Sequence, residues 1–284
     1  MMMTSFFQRL TLLIGPEAAA ALQKSRVIVF GLGGVGSWCA EALVRSGIGR
    51  ISLVDSDTVC PSNINRQLQA SSSSIGRLKT EALEERLKDI NPECDITTFP
   101  KVFSKETAEI FDIAGADYVI DAIDSLAHKL NLIETAVSAG TGFFSSMGMA
   151  QKMDPTLIKT ASIWKTYGCS LARLVRAGLR KRGFRGNFSA VYSPERVPRR
   201  VSPDAIPPSP ADPGDSGPRG TWDSGKKVIN GTVVTVTAVA GLVLAGLVVQ
   251  DACKRYGSPT EPPCGEGSPL GTPTEPLYGE GSPS

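Results

Sequence analysis

Between residues 26 and 150, short apolar runs of strand length alternate with longer stretches of helical period. Arg26-Val-Ile-Val-Phe30 reads as a strand, and its apolar run Val27 to Phe30 is as expected for burial on both faces. Trp38 to Ser46 reads as a helix and Ile51 to Asp55 as a second strand. Arg77 to Ile90 is a charged helix stopped by Asn91-Pro92, followed by a third strand over Asp95 to Phe99. Ser104 to Ile113 reads as a helix capped by its first residue. Tyr118 to Asp121 is a fourth strand, His128 to Ala139 a helix, and Phe143 to Met147 a fifth strand. This alternation predicts an α/β fold with a doubly wound, Rossmann-like sheet.

The flanks follow other patterns. Residues 1–25 read as a helical lead-in, Leu10 to Ile14 and then Gly15-Pro16 with an alanine-rich turn. Ser170 to Arg182 has helical period, with Arg173, Arg176 and Arg180 on one face and Leu171, Leu174, Val175 and Leu179 on the other. From Pro194 to Gly225 the composition shifts to Pro, Ser, Gly and Asp, which predicts a mobile loop. Val228 to Val249 carries no charge and is long enough to span a bilayer. Thr232 to Thr237, however, has strand chemistry, and Ala238 to Val249 reads as a short helix, so a buried strand–helix extension is the competing reading. Gly257-Ser-Pro-Thr-Glu-Pro recurs as Gly271-Thr-Pro-Thr-Glu-Pro, a polar unit unable to form a core, so a disordered tail is expected over 257–284. The expected divisions are a lead-in (1–25), a nucleotide-binding core (26–150), a C-terminal part (151–256) and the tail (257–284).

Composition narrows the classes. The chain has 284 residues with 41% hydrophobic and 20% charged, which excludes a collagen, a coiled coil and a wholly disordered chain. Net charge is only +2, but Lys165 to Arg200 holds ten basic residues and one acidic residue, Glu195. That imbalance makes Arg173, Arg176, Arg180, Lys181 and Arg182 candidates for following a nucleic-acid backbone; a solvated helix face is the alternative. With His128 as the lone histidine, a multi-histidine metal site is excluded. Six cysteines lack any C-x-x-C pairing, and no signal peptide is read at the start, so reduced thiols in a cytoplasmic setting are expected.

The candidate chemistry begins at Gly31-Leu-Gly33-Gly34-Val-Gly36, directly between a strand and a helix. Such a turn presents backbone N–H groups and a helix N-terminus to a phosphate. Asp55 ends the next strand, where a carboxylate accepts from ribose hydroxyls. These features alone fit an NAD-dependent oxidoreductase equally well. The following segment, with Asp57, Asn63, Arg66 and Gln67, and then Lys79, favours a triphosphate, because two cations beside the nucleotide neutralise phosphate charge. Asp121 and Asp124 follow a strand end, where a carboxylate suits Mg²⁺. For Asp121 a strand-end cap is an equal alternative.

Gly31-x-Gly-Gly-x-Gly36, Asp55-x-Asp57, Asn63-x-Asn-Arg-Gln67, Lys79 and Asp124 together resemble the adenylating core of the ThiF/MoeB/HesA superfamily, relatives of ubiquitin-activating enzymes. Ile90-Asn-Pro-Glu-Cys94, Ser145-Ser-Met-Gly148 and Lys165-Thr-Tyr-Gly-Cys169 narrow the resemblance to tRNA threonylcarbamoyladenosine dehydratases, over about Phe7 to Gln250. The resemblance implies adenylation of a carboxylate next to a tRNA anticodon, followed by ring closure that expels AMP. It implies ATP and Mg²⁺, with ribose at Asp55, phosphates at Arg66 and Lys79, nucleotide positioning by Asn63 and Gln67, and the metal at Asp124. It further implies a homodimer in which Arg9 reaches the partner's phosphates. Cys169 matches a place where relatives carry Cys-Pro or Asp-Pro; Ser170 replaces the proline here, and a structural cysteine is the preferred reading. An activator of a sulfur-carrier protein, with a sulfur-relay partner, is the alternative within the superfamily, opposed by the missing C-x-x-C pairs. A non-catalytic nucleotide-binding scaffold is a further alternative.

Overall fold

Among the described residues, seven strands form one sheet in the order β3-β2-β1-β4-β5-β7-β6. They are β1 (Arg26–Phe30), β2 (Arg50–Val54), β3 (Asp95–Phe99), β4 (Tyr118–Asp121), β5 (Gly142–Ser146), β6 (Lys159–Ser162) and β7 (Ser189–Tyr192). All pairings are parallel except β6 against β7. The structure is a computed structural model that describes residues 6–196 and 230–257. The first five residues, most of the proline-rich segment, Val228 and the tail from residue 258 on lie outside the described residues.

The helices are α1 (Gln8–Ile14), α2 (Pro16–Lys24), α3 (Gly36–Arg45), α4 (Lys79–Ile90), α5 (Leu126–Ser138), α6 (Ser170–Lys181) and α7 (Val234–Tyr256). They cover both faces of the sheet, and the two-residue period of β1 explains how. Val27 and Val29 join a core with Leu22, Leu43, Leu83 and Leu244, on the side of α2, α3, α4 and α7. Ile28 and Phe30 join the opposite core with Leu132, Ile133, Val175 and Leu179, on the side of α5 and α6. A strand buried on both faces reads as unbroken apolar sequence, as β1 does from Val27 on.

Three expectations about local structure need correction. The segment after Ser104 is not an α-helix: it forms two 3-10 turns, Ala108–Phe111 and Ile113–Gly115. Asp112 between them takes the left-handed conformation (φ 45°) and pairs with Arg26, while Phe111 packs edge-on against Phe30 and Phe99. Tertiary anchoring of those two side chains outweighs helix propensity. Second, the strand expected over Thr232 to Thr237 is the start of α7, which runs unbroken to Tyr256. Burial on α3 overrides the β-propensity of its threonines and valines, and Thr237 Oγ1 lies 3.3 Å from Val234 O. Third, Leu174 points outward at 42% exposure, and Ala172 fills the inward place beside Val175 and Leu179.

α7 is long and apolar enough to cross a membrane by length and composition. In this fold its inward face, Val236, Ala240, Leu244 and Val248, is buried in the core. Gly241 permits that packing, since a Cβ there would stand 2.4 Å from Val35 O and 2.9 Å from Cys39 N.

Glu41 of α3 ties this helix layer together. Its carboxylate accepts from Arg45 Nε at 2.8 Å and Arg86 Nε of α4 at 2.6 Å. Burial alone would raise its pKa, but the hydrogen bonds from Arg86 and Arg45 outweigh burial and hold it below the ordinary value of 4.5. A carboxyl lowered on folding stabilises the fold above its unfolded pKa, and that stability is lost as pH falls through the folded pKa. Glu41→Gln is therefore expected to cost about 1 kcal/mol at pH 7 and almost nothing once the wild-type carboxyl is protonated. Urea midpoints at the two pH values check this; an equal loss at both would mean that the charge is irrelevant.

Candidate active site

β1 and β4 are adjacent, and the chain leaves their carboxyl ends toward opposite faces, which opens the crevice where such sheets bind ligands. Gly31 follows β1 with φ +86°, and its N–H bonds Val54 O at 2.8 Å. A Cβ at Gly31 would stand 2.9 Å from Ala122 O, and one at Gly36 would stand 1.8 Å from Gly31 O. Both positions therefore require glycine. A Cβ at Gly33 would meet nothing within 4 Å, so this residue presents its backbone to open space, as a phosphate cradle requires. Gly34 lies beneath Arg66 and Thr237: its Cβ would come within 3.2 Å of Arg66 Cγ and 3.1 Å of Thr237 Oγ1.

Asp55 stands at the end of β2 and holds the turn. Its Oδ2 accepts from Leu32 N at 2.6 Å and its Oδ1 from Asp57 N at 2.9 Å. Lys79, the first residue of α4, places Nζ 2.7 Å from Asp57 Oδ2 and 3.9 Å from Asp55 Oδ1. All of Asp55 and Lys79 but a few percent is buried. Burial pushes the Asp55 carboxyl up, against the pull of Lys79. Burial also opposes the charge of Lys79, but Asp55 and Asp57 together raise its pKa above the ordinary lysine value. The lysine is therefore a fixed cation at neutral pH.

The segment between β2 and α4 folds back over the glycine turn. Trp38 Nε1 donates to Arg66 O at 3.0 Å, Gln69 Nε2 to Leu32 O at 2.8 Å, and Leu68 N to Ser37 Oγ at 3.2 Å. Arg66 Nη1 donates to Ser62 O and Asn65 Oδ1. Asn63 accepts from Cys60 N and is buried, as is Gln67. Asp57 Oδ1, Gln67 Oε1, Gln69 Oε1 and Ser56 Oγ are buried without a hydrogen-bond partner, an unusual concentration of polar atoms for a packed interior. Such a set fits a ribose and phosphates, which bring both donors and acceptors.

Asp121 and Asp124 separate. Asp121 is wholly buried and bonds Lys129 Nζ at 2.7 Å and Ser145 Oγ at 2.6 Å, so it is a structural group. Its Oδ1 accepts from Ile123 N, which shapes the turn leading to Asp124. Asp124 is exposed beside that turn. A single exposed carboxylate next to a phosphate cradle fits Mg²⁺, which takes one or two carboxylates plus phosphate oxygens.

The structure therefore brings Gly31, Gly33, Gly34, Gly36, Asp55, Asp57, Asn63, Arg66, Gln67, Lys79 and Asp124 to one end of the sheet. Arg9 is elsewhere. Phe7, two residues earlier, packs on Gly47 beyond the far end of α3, a helix of ten residues. The glycine turn lies at the other end of that helix, about 15 Å away along its axis. On α6, Arg176 bonds Thr166 Oγ1, Arg180 lies 5.5 Å over the Trp164 ring, and Arg182 pairs with Glu134 at 2.7 Å. Arg173 and Lys181 are exposed. Cys169 immediately precedes α6, is 5% exposed, and places Sγ 3.9 Å from Gly148 O. His128 lies in the first turn of α5. Sequence reasoning did not find Gln69, Trp38 or Thr237. Gln69 offers only its nearness to Gln67 as a signal, and Thr237 lies two hundred residues from the turn it touches.

The family model described as "ThiF family" matches residues 7–264. The tRNA threonylcarbamoyladenosine dehydratase of Bacillus subtilis (strain 168) is 40% identical over 255 residues, covering 87% of this chain and 94% of that protein. The Escherichia coli tRNA N6-threonylcarbamoyladenosine dehydratase TcdA, solved in complex with ATP, superposes with a TM-score of 0.74 at 30% identity, covering 89% of this chain and 95% of that one. The adenylyltransferase and sulfurtransferase UBA4 of Candida glabrata is 35% identical over 149 residues, but these are 52% of this chain and 34% of that protein. With a family match that runs over nearly its whole length, this chain belongs to the ThiF family.

Proposed function

We propose that this chain is an ATP-dependent tRNA threonylcarbamoyladenosine dehydratase that cyclises the modified adenosine beside the anticodon. The observation that carries this reading is the agreement over 94% of the length of the B. subtilis relative, with the Asp55–Lys79–Asp57 cluster beside the glycine turn in support. The reaction has two stages. A carboxylate oxygen of the threonyl group attacks the α-phosphorus of ATP, the bond to the bridging oxygen breaks, and pyrophosphate leaves. A nitrogen of the same modification then attacks the activated carbonyl, loses its proton, and expels AMP.

The chain supplies orientation and charge for both stages. Asp55 accepts from the ribose hydroxyls through lone pairs that its two backbone donors leave available. Gly33 and the N-terminus of α3 face the phosphates. Lys79, with three N–H donors and a raised pKa, stabilises charge on the departing pyrophosphate, and Arg66 adds a second cation. Asn63 and Gln67 position the nucleotide. Asp124 would hold Mg²⁺, which when bound neutralises phosphate charge. The tRNA substrate implies a cytoplasmic location.

Two tests bear on the chemistry. Nucleosides from tRNA incubated with protein and ATP, analysed by mass spectrometry, should show loss of one water from threonylcarbamoyladenosine. Asp124→Ala should abolish that conversion while leaving the thermal midpoint unchanged; full activity would end the metal assignment. Pyrophosphate released with a sulfur-carrier protein instead of tRNA would favour the sulfur-relay alternative.

The assembly reading is a homodimer in which Arg9 serves the partner's site, as the family resemblance implies. Mixing inactive Arg9→Ala with inactive Lys79→Ala should restore part of the activity, because one hybrid site then holds both cations. Verified heterodimers without recovery would count against it. For tRNA docking, the α6 surface supplies Arg173 and Lys181, with Arg176, Arg180 and Arg182 held alongside them. Affinity should fall by about 0.9 log units per log unit of salt for each duplex phosphate contacted. Reversing Arg173 and Lys181 to Glu should weaken tRNA binding and spare ATP binding.

A further inference from the structure

Tyr192 ends β7 at the carboxyl edge of the sheet, the edge that carries the glycine turn. Register pairs it with Lys159, the first residue of antiparallel β6. After β6 the chain turns back, and Tyr167 returns to this edge. Its ring meets Tyr192 edge-on, with centroids 5.7 Å apart at 73°, and its hydroxyl lies 3.0 Å from Lys159 Nζ. The next residue, Gly168, is pressed against Pro194: at φ +70°, a Cβ there would stand 2.6 Å from Pro194 O. Tyr192 is 2% exposed and Tyr167 is 54% exposed, so a buried ring forms the wall against which a fixed, open ring stands.

A single exposed aromatic residue is ordinary. This one differs in its surroundings. Lys159, which bonds its hydroxyl, and Arg173, in the first turn of the helix that follows it, are exposed cations. The nearby acids are engaged with backbone: Glu195 accepts from Met153 N at 2.9 Å and Asp154 N at 3.0 Å, and Asp154 accepts from Thr156 N at 2.8 Å. β7 lies two strands from β4, so the carboxyl ends of these two strands stand about 10 Å apart.

We propose that Tyr167 is a stacking platform for an unpaired base of the RNA substrate, one that neighbours the nucleotide whose carboxylate enters the ATP site. This rests on the tRNA reading above. Sequence-specific RNA recognition targets loops whose bases splay out onto aromatic rings, and an anticodon loop is single-stranded. Lys159 and Arg173 take the flanking phosphates, and the stacked base anchors the loop to this edge of the sheet. Tyr167 does not touch the reacting atoms; it positions the RNA.

The test uses the full chain with an anticodon stem-loop carrying threonylcarbamoyladenosine and 2-aminopurine at an adjacent unpaired position. With wild-type protein the 2-aminopurine fluorescence should fall on binding, as stacking quenches it. Tyr167→Ala should lose that quench and raise KM for tRNA by about ten-fold or more, with kcat and KM for ATP unchanged. Tyr167→Phe should restore both the quench and KM, because it keeps the ring. Tyr167→Ala with wild-type KM and quench overturns the platform, and so does a Phe variant as impaired as Ala, which would assign the effect to the hydroxyl and Lys159. Wild-type protein that leaves tRNA unmodified overturns the reading beneath, and the platform with it.

Discussion

Lys79→Ala should lower ATP–pyrophosphate exchange by about 10²- to 10³-fold, the usual cost of removing one preorganised stabiliser of transition-state charge. The buried side chain faces Asp57 at 2.7 Å and Asp55 at 3.9 Å, so its loss does more than delete a phosphate contact. Two carboxylates would then share a buried site without a cation, and they would repel the phosphates they now help to position. The Asp55 carboxyl, already raised by burial, would rise further once Lys79 no longer opposes that shift. A carboxyl raised on folding destabilises the fold above its folded pKa, and the penalty disappears as pH falls below its unfolded pKa. The variant should therefore gain stability relative to wild type on mild acidification. Exchange rates within ten-fold of wild type would remove Lys79 from the chemistry. A flat difference in stability between pH 8 and pH 5 would show that water reaches the cluster.

Lys129→Met should destabilise the fold by about 3–5 kcal/mol, because it strands the Asp121 carboxylate in a dry interior. Both partners are completely buried, and Ser145 Oγ completes the group at 2.6 Å from Asp121 and 3.3 Å from Lys129. The double change Asp121→Asn with Lys129→Met should recover most of the loss, since replacing both charges removes the unpaired one. Urea denaturation of the two single variants and the double variant measures the coupling. A loss below 1 kcal/mol in Lys129→Met would mean that the site hydrates. Because Asp121 also accepts from Ile123 N, the single variant should lose activity beyond its loss of folded protein, through the displaced Asp124 turn.

The element order could be read from the chain for a physical reason. Parallel strands buried on both faces are apolar through their middle, as Val27 to Phe30 of β1 and Tyr118 to Ile120 of β4 are. The glycine turn was legible because two of its positions have no room for a Cβ, which leaves a fixed spacing in the sequence. The charged residues Asp55, Arg66, Lys79 and Asp124 stand out because buried or site-facing charge is costly and has to be specified.

What the sequence could not decide was partnership. The choice between Asp121 and Asp124 rested on Lys129, whose position one turn into α5 is ordinary for a surface lysine; only the packing of α5 on β4 and β5 buries it. The fate of Thr232 to Thr237 depended on a neighbour far away in sequence. Local propensity favours a strand there, but α3 offers a groove at Val35 and Trp38 into which Gly241 fits, and the helix that results also places Thr237 on the glycine turn. The segment after Ser104 likewise yields to Arg26 and Phe30. By itself the sequence determined the fold class, the phosphate turn and most residues around it, since these follow from backbone sterics and hydrophobic period. Tertiary structure alone decided which charges neutralise one another, because a salt bridge between distant residues leaves no periodic trace in the chain.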